Sequence, residues 1–430
     1  MNRVLILHYH EIWLKGGNKN YFLSRLVAAV KHALADLPVS TPQFTSERLL
    51  LKPQNEEALP KILERLRRVF GLAYVAVAWE AGSDPGALGA AACEMMVEKN
   101  PRTFAVRAKI ADPEFAMNSM ELERVLGRQI LDRLRGQGSD VKVKLSDPEV
   151  TCWVEVIPGK IFLYADRVEG AGGLPPVTSG RLVALLSGGF DSGVAAYKMM
   201  RRGAHVAFVH FFGPPSASRG SSKPVAEEIV RALTPYQFTS RLYLVPFDAV
   251  QRQIVAATHE SFRVLLYRRM MARIARELVR AERALGLVTG DSVAQVASQT
   301  LHNLAALDRG VDVPIYRPLA GDDKTEILKL ARAIGTYKIS CEPFEDCCPR
   351  FMPRSPAIFT RPEQLDRAES GLDIEALVTL GLEGASAVEF KFENGEVSME
   401  EAQSQRLQKL LAWRKGIPGP VHVRPATAGE

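Results

Sequence analysis

Residues 183–203 read VALLSGGFDSGVAAYKMMRRG, and this stretch decides how the C-terminal half of the chain folds. Its first four residues, 183–186, form an apolar run with the length and character of a buried strand. Small residues at 187–193 end that run, and apolar side chains then recur at helical spacing, at Val194, Tyr197 and Met200. The stretch therefore predicts a strand, a tight turn and the start of a helix.

The predicted turn has the composition of an anion-binding loop. Gly188 and Gly189 place no side chain between backbone and ligand, and Ser187 and Ser192 add hydroxyl donors. The following helix N-terminus directs N–H groups and the positive end of its dipole toward an anion. No lysine follows the glycines as in a Walker loop, whereas Asp191 suits a nucleotide that is held with magnesium and loses pyrophosphate. The alternative is a glycine-rich turn of a doubly wound domain that binds nothing.

The length, composition and charge of the chain limit the class of protein to which it can belong. The chain has 430 residues, 47% of them hydrophobic, which is enough for two to four domains with real cores. The net charge of +6 favours a polyanionic partner, although solvated arginines give the same value. No apolar run approaches membrane-spanning length, and the N-terminus does not read as a signal peptide. We therefore expect a cytoplasmic protein without membrane association.

Hydrophobic periodicity and Gly/Pro-rich stretches divide the chain into five segments. These are a ferredoxin-like β-α-β-α-β unit at 1–80, a compact α+β module at 81–168, a linker at 169–180, a doubly wound parallel-sheet domain at 181–375, and a tail at 376–430 with one helix near 399–413. The second segment is rich in basic residues, a pattern that fits a solvated face as well as a polyanion site. They are Arg102, Arg107, Lys109, Arg124, Arg128, Arg133 and Arg135.

A long helix is predicted at 262–285 within the parallel-sheet domain. Its arginines recur at four-three spacing on one stripe, opposite an apolar stripe, which predicts an amphipathic helix packed on the sheet. The stripe consists of Arg269, Arg273, Arg276, Arg280 and Arg283. Arg268 lies outside it and is the better candidate for a ligand contact. A second small-residue turn, TGDS at 289–292, ends the next strand, and ligands of parallel sheets bind at such carboxyl ends.

Five cysteines in a long chain do not suggest a disulfide framework. Cys93 and Cys152 are isolated and are expected to be buried small hydrophobes. Cys341, Cys347 and Cys348 lie close together and suggest thiol chemistry. Two alternatives stay open, namely three ordinary buried thiols, or ligands of zinc or an iron–sulfur cluster at a spacing that is unusual for either.

Several motifs resemble one family closely. SGGFDS resembles the PP-loop of N-type ATP pyrophosphatases. Together with EIWLKGGNKNYF, FAMNSMELERVLG, TGDSVAQVASQTLHNL, YRPLAGDDKTEI and PFEDCCPRFMP it resembles the tRNA 4-thiouridine synthetases, up to about residue 356. The resemblance implies an α/β protein in which N-terminal ferredoxin-like and THUMP domains dock tRNA. A doubly wound PP-loop domain, similar to adenine nucleotide alpha hydrolases, then carries catalysis.

The resemblance also implies roles for individual residues. Asp191, Lys324, Cys347 and Cys348 match catalytic positions. The ATP-binding positions are Leu185, Leu186, Ser187, Gly188, Gly189, Asp191, Ser192, His210, Phe211, Arg268, Gly290 and Gln299. No metal ligands are predicted. This chain departs from the family's TGEslGQ pattern at Asp291 and Ala294, and we expect the form that lacks a rhodanese domain.

The implied reaction uses ATP and Mg²⁺ to adenylate C4 of uridine at the eighth position of tRNA. A persulfide sulfur then displaces AMP, carried by Cys347 and resolved by Cys348 or Cys341. Implied partners are tRNA, a cysteine desulfurase or other persulfide donor, a sulfur-carrier protein of thiamine biosynthesis, and a second copy in a homodimer. Some relatives hold an iron–sulfur cluster through a CxxC pair that this chain lacks, so we do not expect one.

Two other functions are compatible with parts of the pattern. One is a PP-loop synthetase that acts on a small molecule, which would leave the basic N-terminal segments without a purpose. The other is a tRNA-binding module that has lost catalysis, against which the intact loop and Lys324 argue.

Overall fold

Each half of the chain is built on its own β-sheet. The computed structural model describes residues 3–46, 48–81, 85–214, 220–345, 356–402 and 404–414. Their contacts divide into two units, Met1–Pro175 and Pro176–Glu430. Each unit has a hydrophobic core of its own.

The N-terminal unit alternates strands and helices in the predicted order. Its strands are β1 (Arg3–His8), β2 (Gln43–Thr45), β3 (Arg48–Leu51), β4 (Tyr74–Ala81), β5 (Thr103–Ile110), β6 (Lys142–Val143), β7 (Val150–Ile157) and β8 (Lys160–Glu169). Its helices are α1 (Lys19–Ala33), α2 (Leu59–Leu66), α3 (Pro85–Lys99) and α4 (Ser119–Gly136). In α4 the side chain of Asn118 caps the first turn and buried leucines and an isoleucine recur every four residues, which explains why this segment is helical.

The first two predicted segments share a single sheet. Its strand order is β2-β3-β1-β4-β8-β7-β5-β6, and the antiparallel pair β4 and β8 joins the two segments. Residues 160–169 carried no predicted strand, yet they form β8. A tight turn at Pro158 and Gly159, with Gly159 at φ 73°, folds this segment back on β7. The pairing between segments depends on tertiary contacts, so periodicity alone does not reveal it.

A buried carboxylate organises the polar part of this sheet. Glu155 is 2% exposed, accepts a hydrogen bond from Arg48 Nε and one of 2.8 Å from Tyr164 Oη, and lies 3.1 Å from His8 Nε2. Burial alone would raise the pKa of Glu155, but His8 and Arg48 outweigh it and lower the pKa to about 2. The ring of His8 stacks on Tyr74 with centroids 4.2 Å apart. His8 is therefore a packed strand residue.

The C-terminal unit alternates in the same way. Its strands are β9 (Arg181–Leu185), β10 (His205–Phe212), β11 (Gly220–Ser221), β12 (Thr239–Pro246), β13 (Leu287–Val288), β14 (Ile315–Tyr316), β15 (Phe344–Glu345), β16 (Ser386–Glu393) and β17 (Glu396–Ala402). Its helices are α5 (Phe190–Arg201), α6 (Lys223–Leu233), α7 (Asp248–Ala257), α8 (Arg263–Glu282), α9 (Leu301–Asp308), α10 (Lys324–Ala333), α11 (Tyr337–Ser340), α12 (Pro362–Glu369), α13 (Ile374–Glu383) and α14 (Gln405–Arg414).

The order of the main sheet creates a crevice beside β9. The order is β14-β13-β9-β10-β12-β16-β17, and the five strands from β14 to β12 run parallel. Along the chain, β10 and β12 follow β9 on one side of it in the sheet, and β13 then pairs with β9 on the other side. Such a reversal of strand order leaves an opening at the carboxyl ends of β9 and β13, where open α/β sheets bind ligands.

The segment predicted as a tail belongs to this sheet. β16 pairs antiparallel with β12, and β17 pairs with β16, so the expected helix near 399–413 is wrong over its first residues. The expected boundary at residue 375 falls inside α13. These strands have a polar outer face, with most of β17 exposed, which hides their apolar alternation from a reading of the sequence.

The first part of the arginine stripe of α8 is buried, at Arg269 and Arg273, whereas Arg280 and Arg283 are exposed. Arg269 is fully buried and donates to Asp366 Oδ1 at 2.8 Å, to Glu369 Oε1 at 2.7 Å and to the Ala306 carbonyl. Arg273 donates to both carboxylate oxygens of Glu369. The helix packs on the sheet as predicted, but its arginine side is also covered over the first part of its length, which the sequence did not indicate. The partners belong to α12, which local periodicity could not pair with α8.

Arg269→Met tests whether this network stabilises the C-terminal unit. The substitution removes the fully buried guanidinium that joins Asp366 and Glu369 to α8, and we expect a loss of about 3 kcal/mol in the free energy of unfolding, measured by urea denaturation. The matched control is Arg252→Met, because Arg252 forms a surface pair with Asp248 and its side chain is 66% exposed. Arg252→Met should lower the free energy of unfolding by less than about 1 kcal/mol. Equal losses in the two variants would contradict the assignment.

Glu155 predicts acid sensitivity of the N-terminal unit. Because its pKa is lowered from 4.5 to about 2, the stabilisation is present above about pH 4.5 and is lost as the pH falls toward 2. Urea midpoints followed by tryptophan fluorescence should fall over this range in the wild type and fall less in Glu155→Gln. Three of the four tryptophans lie in this unit. The control is Glu64→Gln, at an exposed pair with Arg68, which should keep the wild-type dependence of the urea midpoint on pH. If Glu155→Gln also kept that dependence, Glu155 would not be the cause of the acid sensitivity.

Candidate active site at the carboxyl ends of the parallel strands

The turn after β9 is folded by its own two serines. Ser187 N donates to Ser192 Oγ at 3.0 Å, and Gly189 N donates to Ser187 Oγ at 3.2 Å. Gly189 is the N-cap of α5 and has no side chain with which to cap it. The first turn of α5 is thus presented without a side-chain cap, as the predicted anion loop requires.

The TGDS turn after β13 lies directly against this loop. A Cβ atom added at Gly290 would come within 2.7 Å of Ser192 N and 2.8 Å of the Asp191 carbonyl carbon, which is closer than real Cβ contacts allow. Only glycine permits this approach. The two turns that the sequence placed at strand ends are therefore held together by backbone contact.

A cavity of about 480 Å³ opens where the two turns meet. Nine of the twelve predicted nucleotide-binding residues line it. They are Leu185, Leu186, Ser187, Asp191, Ser192, Phe211, Arg268, Gly290 and Gln299. Gly188 and Gly189 belong to the same loop without lining the cavity. Met271, Gln295, Asp308, Ile315 and Arg317 also line it and were not predicted, because their positions depend on how separate elements converge.

His210 is the predicted nucleotide residue whose side chain is engaged elsewhere. Its ring is fully buried at the end of β10. Nδ1 lies 2.9 Å from the Leu186 carbonyl and donates to it, which leaves Nε2 to pair with Ser222 Oγ at 2.8 Å. The imidazole thus joins β9 to the start of α6, and a ligand contact at this position falls to its main chain.

Asp191 and Lys324 form the ion pair at the mouth of the loop. Lys324 Nζ lies 2.6 Å from Asp191 Oδ1, and Gln295 Nε2 donates to Asp191 Oδ2 at 3.0 Å. Lys324 is the first residue of α10, whose capping box is formed by Asp323 and Glu326. The capped helix sets the position of this lysine. A carboxylate and an ammonium group are therefore paired beside the anion loop, and their catalytic roles remain a prediction.

A second carboxylate, Asp291, lies at the back of the cavity. It is 4% exposed and accepts hydrogen bonds from Arg268 and, at 2.8 Å, from Thr289 Oγ1. Burial would raise the pKa of Asp291, but the charges of Arg268 and Arg317, together with the hydrogen bonds from Thr289 and Gln299, outweigh it and lower the pKa. Asp291 is therefore an ionised acceptor. Ala294, the other departure from the family pattern, adopts φ 63°, a region that favours glycine.

The cysteines divide by their surroundings. Cys152 is fully buried, as expected, and burial raises its pKa to about 12. Cys93 is only partly buried, and burial raises its pKa as well. Cys341 is exposed at the end of α11. Cys347 and Cys348 lie outside the described residues. The assignment among these three thiols remains a prediction.

The site suits a magnesium ion that arrives with a nucleotide. Among the described residues, no group of three His, Cys, Asp or Glu side chains could hold a metal alone. Asp191 supplies one carboxylate beside the loop hydroxyls, and Mg²⁺ commonly binds through one or two carboxylates together with substrate phosphates. The donor set therefore fits magnesium bound to phosphate.

The N-terminal unit carries a basic groove of its own. Arg107, Arg124 and Arg128 line a cavity of about 730 Å³ between α4 and the strands β5 and β6. Exposed apolar side chains, including Met120 and Leu145, lie along its edge. Cations next to apolar surface fit a nucleic acid, since they can contact both phosphates and bases. Across the part of the chain that the structure describes, no helix has the length and apolarity needed to span a membrane.

Comparison with known proteins identifies three domains. Residues 4–76 match the ThiI ferredoxin-like domain, residues 87–166 match the THUMP domain, and residues 177–374 match the thiamine biosynthesis protein ThiI. These matches confirm the predicted fold class of ferredoxin-like, THUMP and parallel-sheet domains.

Individual relatives agree with the domain matches. The chain is 42% identical over 379 residues to a probable tRNA sulfurtransferase of Thermus thermophilus, with 88% of this chain and 92% of the relative covered. It is 38% identical to one of Caldanaerobacter subterraneus, with 88% and 97% covered. It is also similar to the crystal structure of a 4-thiouridine synthetase–RNA complex with bound ATP, at a TM-score of 0.78 and 31% identity, covering 90% of this chain and 99% of that one. The chain therefore belongs to the ThiI family of tRNA sulfurtransferases.

Proposed function

We propose that this protein uses ATP to activate C4 of uridine at the eighth position of tRNA and replaces its oxygen with sulfur, giving 4-thiouridine, AMP and pyrophosphate. The observation that carries the proposal is the convergence of the anion loop, Asp191 and Lys324 on one cavity at the strand reversal. The similar solved structure contains RNA and ATP, which supports the same pair of substrates here.

ATP binds in the cavity between the two turns. Leu185, Leu186 and Phe211 offer apolar surface to the adenosine. The loop from Ser187 to Ser192 and the first turn of α5 receive the phosphates. This orientation is supported by the loop, whose serine hydroxyls and helix N-terminus favour an anion.

The loop activates C4 of the uracil, because the oxygen on C4 is otherwise a poor leaving group. Uracil O4 attacks the α-phosphorus of ATP, the bond from that phosphorus to pyrophosphate breaks, and O4 becomes part of an adenylate. Lys324 and Arg268 lie where they can balance negative charge as pyrophosphate departs. Asp191 would hold Mg²⁺, which lowers the repulsion between phosphate oxygens when it is bound.

Sulfur arrives on a cysteine. The outer sulfur of a persulfide on Cys347 attacks C4, and AMP leaves with the former carbonyl oxygen. At this stage Cys347 Sγ is joined to C4 through the transferred sulfur. A second thiol attacks Cys347 Sγ and the bond between Sγ and the transferred sulfur breaks, so that a disulfide forms and the transferred sulfur stays on C4. Cys341 is the better resolving thiol, because it is exposed and adjacent cysteines such as Cys347 and Cys348 rarely bond to each other. A cysteine desulfurase or a similar donor supplies the persulfide.

The N-terminal unit docks the tRNA. The groove lined by Arg107, Arg124 and Arg128 provides the cations for backbone contacts. This surface argues against a substrate that is a small molecule, and the paired Asp191 and Lys324 argue against a module without catalysis. A homodimer and transfer to a sulfur-carrier protein remain predictions from the family.

Mass spectrometry of tRNA tests the proposed function. After incubation with ATP, Mg²⁺ and a persulfide donor, nucleosides from the tRNA should contain 4-thiouridine with the wild type. Asp191→Ala should reduce AMP release by about 100-fold or more, since it removes the carboxylate of the phosphate site, while tRNA affinity stays within about threefold. Asp312→Ala, at an exposed pair with Arg276, is the control and should retain wild-type activity. Unchanged turnover in Asp191→Ala would refute its role.

Cys347→Ser separates the sulfur step from activation. We expect no 4-thiouridine with a persulfide donor, because serine cannot carry the transferable sulfur, whereas tRNA-dependent AMP release remains detectable. Cys93→Ser is the control, since the raised pKa of Cys93 keeps it a thiol. Full activity of Cys347→Ser would move the sulfur-carrying role to Cys348 or Cys341.

A further inference from the structure

Asp291 is the most heavily bonded side chain of the cavity, and none of the roles above requires it. Its carboxylate receives donors from four separate places in the chain. These are Arg268 Nη2, Thr289 Oγ1 at 2.8 Å, Gln299 Nε2 at 3.1 Å and Arg317 Nε at 3.3 Å. A carboxylate has about four lone-pair sites, so this one is saturated.

The position of Asp291 is tied to the anion loop. Its neighbour Gly290 approaches the backbone of Asp191 and Ser192 so closely that no Cβ fits between them. The carboxylate therefore cannot move away from the loop unless this backbone contact breaks. Whatever Asp291 binds is held at a set distance from the phosphate site.

Arg268 is the side chain that this arrangement positions. It rises from the first part of α8, donates through Nη1 to the Ser298 carbonyl at 3.0 Å and donates through Nη2 to Asp291. A guanidinium group has five N–H donors in a planar fork, and these two acceptors restrain the plane while leaving other donors for a ligand. Arg268 also lines the cavity.

Arg317 keeps the carboxylate charged and in place. It donates to both oxygens of Asp308, at 2.8 and 2.5 Å, and its Nε faces the Asp291 oxygen that Arg268 does not use. Asp291 thus lies between two arginines, one anchored by Asp308 and one directed into the cavity. The lowered pKa of Asp291 agrees with an acceptor that stays ionised.

We propose that Asp291 is a positioning residue that holds the Arg268 guanidinium against the cavity wall so that its remaining N–H groups meet the phosphate oxygens of the nucleotide. The inference rests on the proposed function, because it takes the ligand to be a nucleoside polyphosphate. Without Asp291, Arg268 retains its charge but loses the restraint on its plane, and bidentate recognition of phosphate depends on that plane.

A double-mutant cycle in ATP affinity tests the inference. Titration calorimetry with ATP and Mg²⁺, in the absence of tRNA, gives Kd for the wild type, Asp291→Asn, Arg268→Gln and the double variant. We expect each single substitution to weaken binding by about tenfold or more, the effect of one hydrogen bond to a charged group. In the Arg268→Gln background, Asp291→Asn should change Kd by less than about twofold, because its partner is gone.

Glu282→Gln controls for the loss of a buried charge. Glu282 is as buried as Asp291, at 4% exposure, and binds Arg241, Arg406 and Tyr243 away from the nucleotide cavity. It should leave Kd for ATP unchanged even though it disrupts an ion-pair network of similar size. Thermal unfolding of all variants shows that the proteins compared are folded.

The possible outcomes separate this inference from the proposed function. If the wild type binds ATP and Asp291→Asn binds it equally well, the positioning role is overturned and the proposed function stands. The same holds if the fold-increases in Kd of the two single variants multiply in the double variant. If the wild type does not bind ATP, the proposed function fails and this inference fails with it.

Discussion

The close approach of two backbone turns is the constraint on which the active-site unit depends. Gly290 lies against Asp191 and Ser192 with no room for a side chain, and this contact joins the end of β13 to the start of α5. It exists because the chain reverses direction after β12 and places β13 next to β9. The cavity, the anion loop and Asp291 are all arranged around that contact.

Charge compensation over long sequence distances holds the surrounding elements in place. Arg269 and Arg273 of α8 bind acids of α12, and Asp291 binds Arg268 and Arg317. Removing one partner from such a pair leaves a buried charge without compensation, so each network strongly restrains the elements that it joins. The same physics allows a long helix with six arginines to pass through the interior of the unit, because its buried guanidinium groups meet carboxylate or carbonyl oxygens.

Local patterns predicted the parts of the site that a single stretch encodes. The strand, turn and helix start around SGGFDS depend on neighbouring residues and form as predicted. The structure pairs Asp191 with Lys324 at the start of α10, and their catalytic roles remain predictions. The prediction failed where partners are distant. β8, β16 and the burial of Arg269 and Arg273 depend on pairing with elements about 80 to 150 residues away. β17 pairs in turn with β16. His210 illustrates the same limit, since its position was predicted but the direction of its ring was not.

The amino-acid sequence by itself determined many of the strands and helices, the strand–turn–helix of the anion loop and the chemistry available to the chain. Turn formation, helix capping and apolar periodicity are local properties, so they can be read from neighbouring residues. Tertiary structure alone decided which loops meet, which acid restrains Arg268 and which arginines are buried. These depend on distances between residues that are far apart in the chain, and such distances are set by the packing of whole elements rather than by any one stretch.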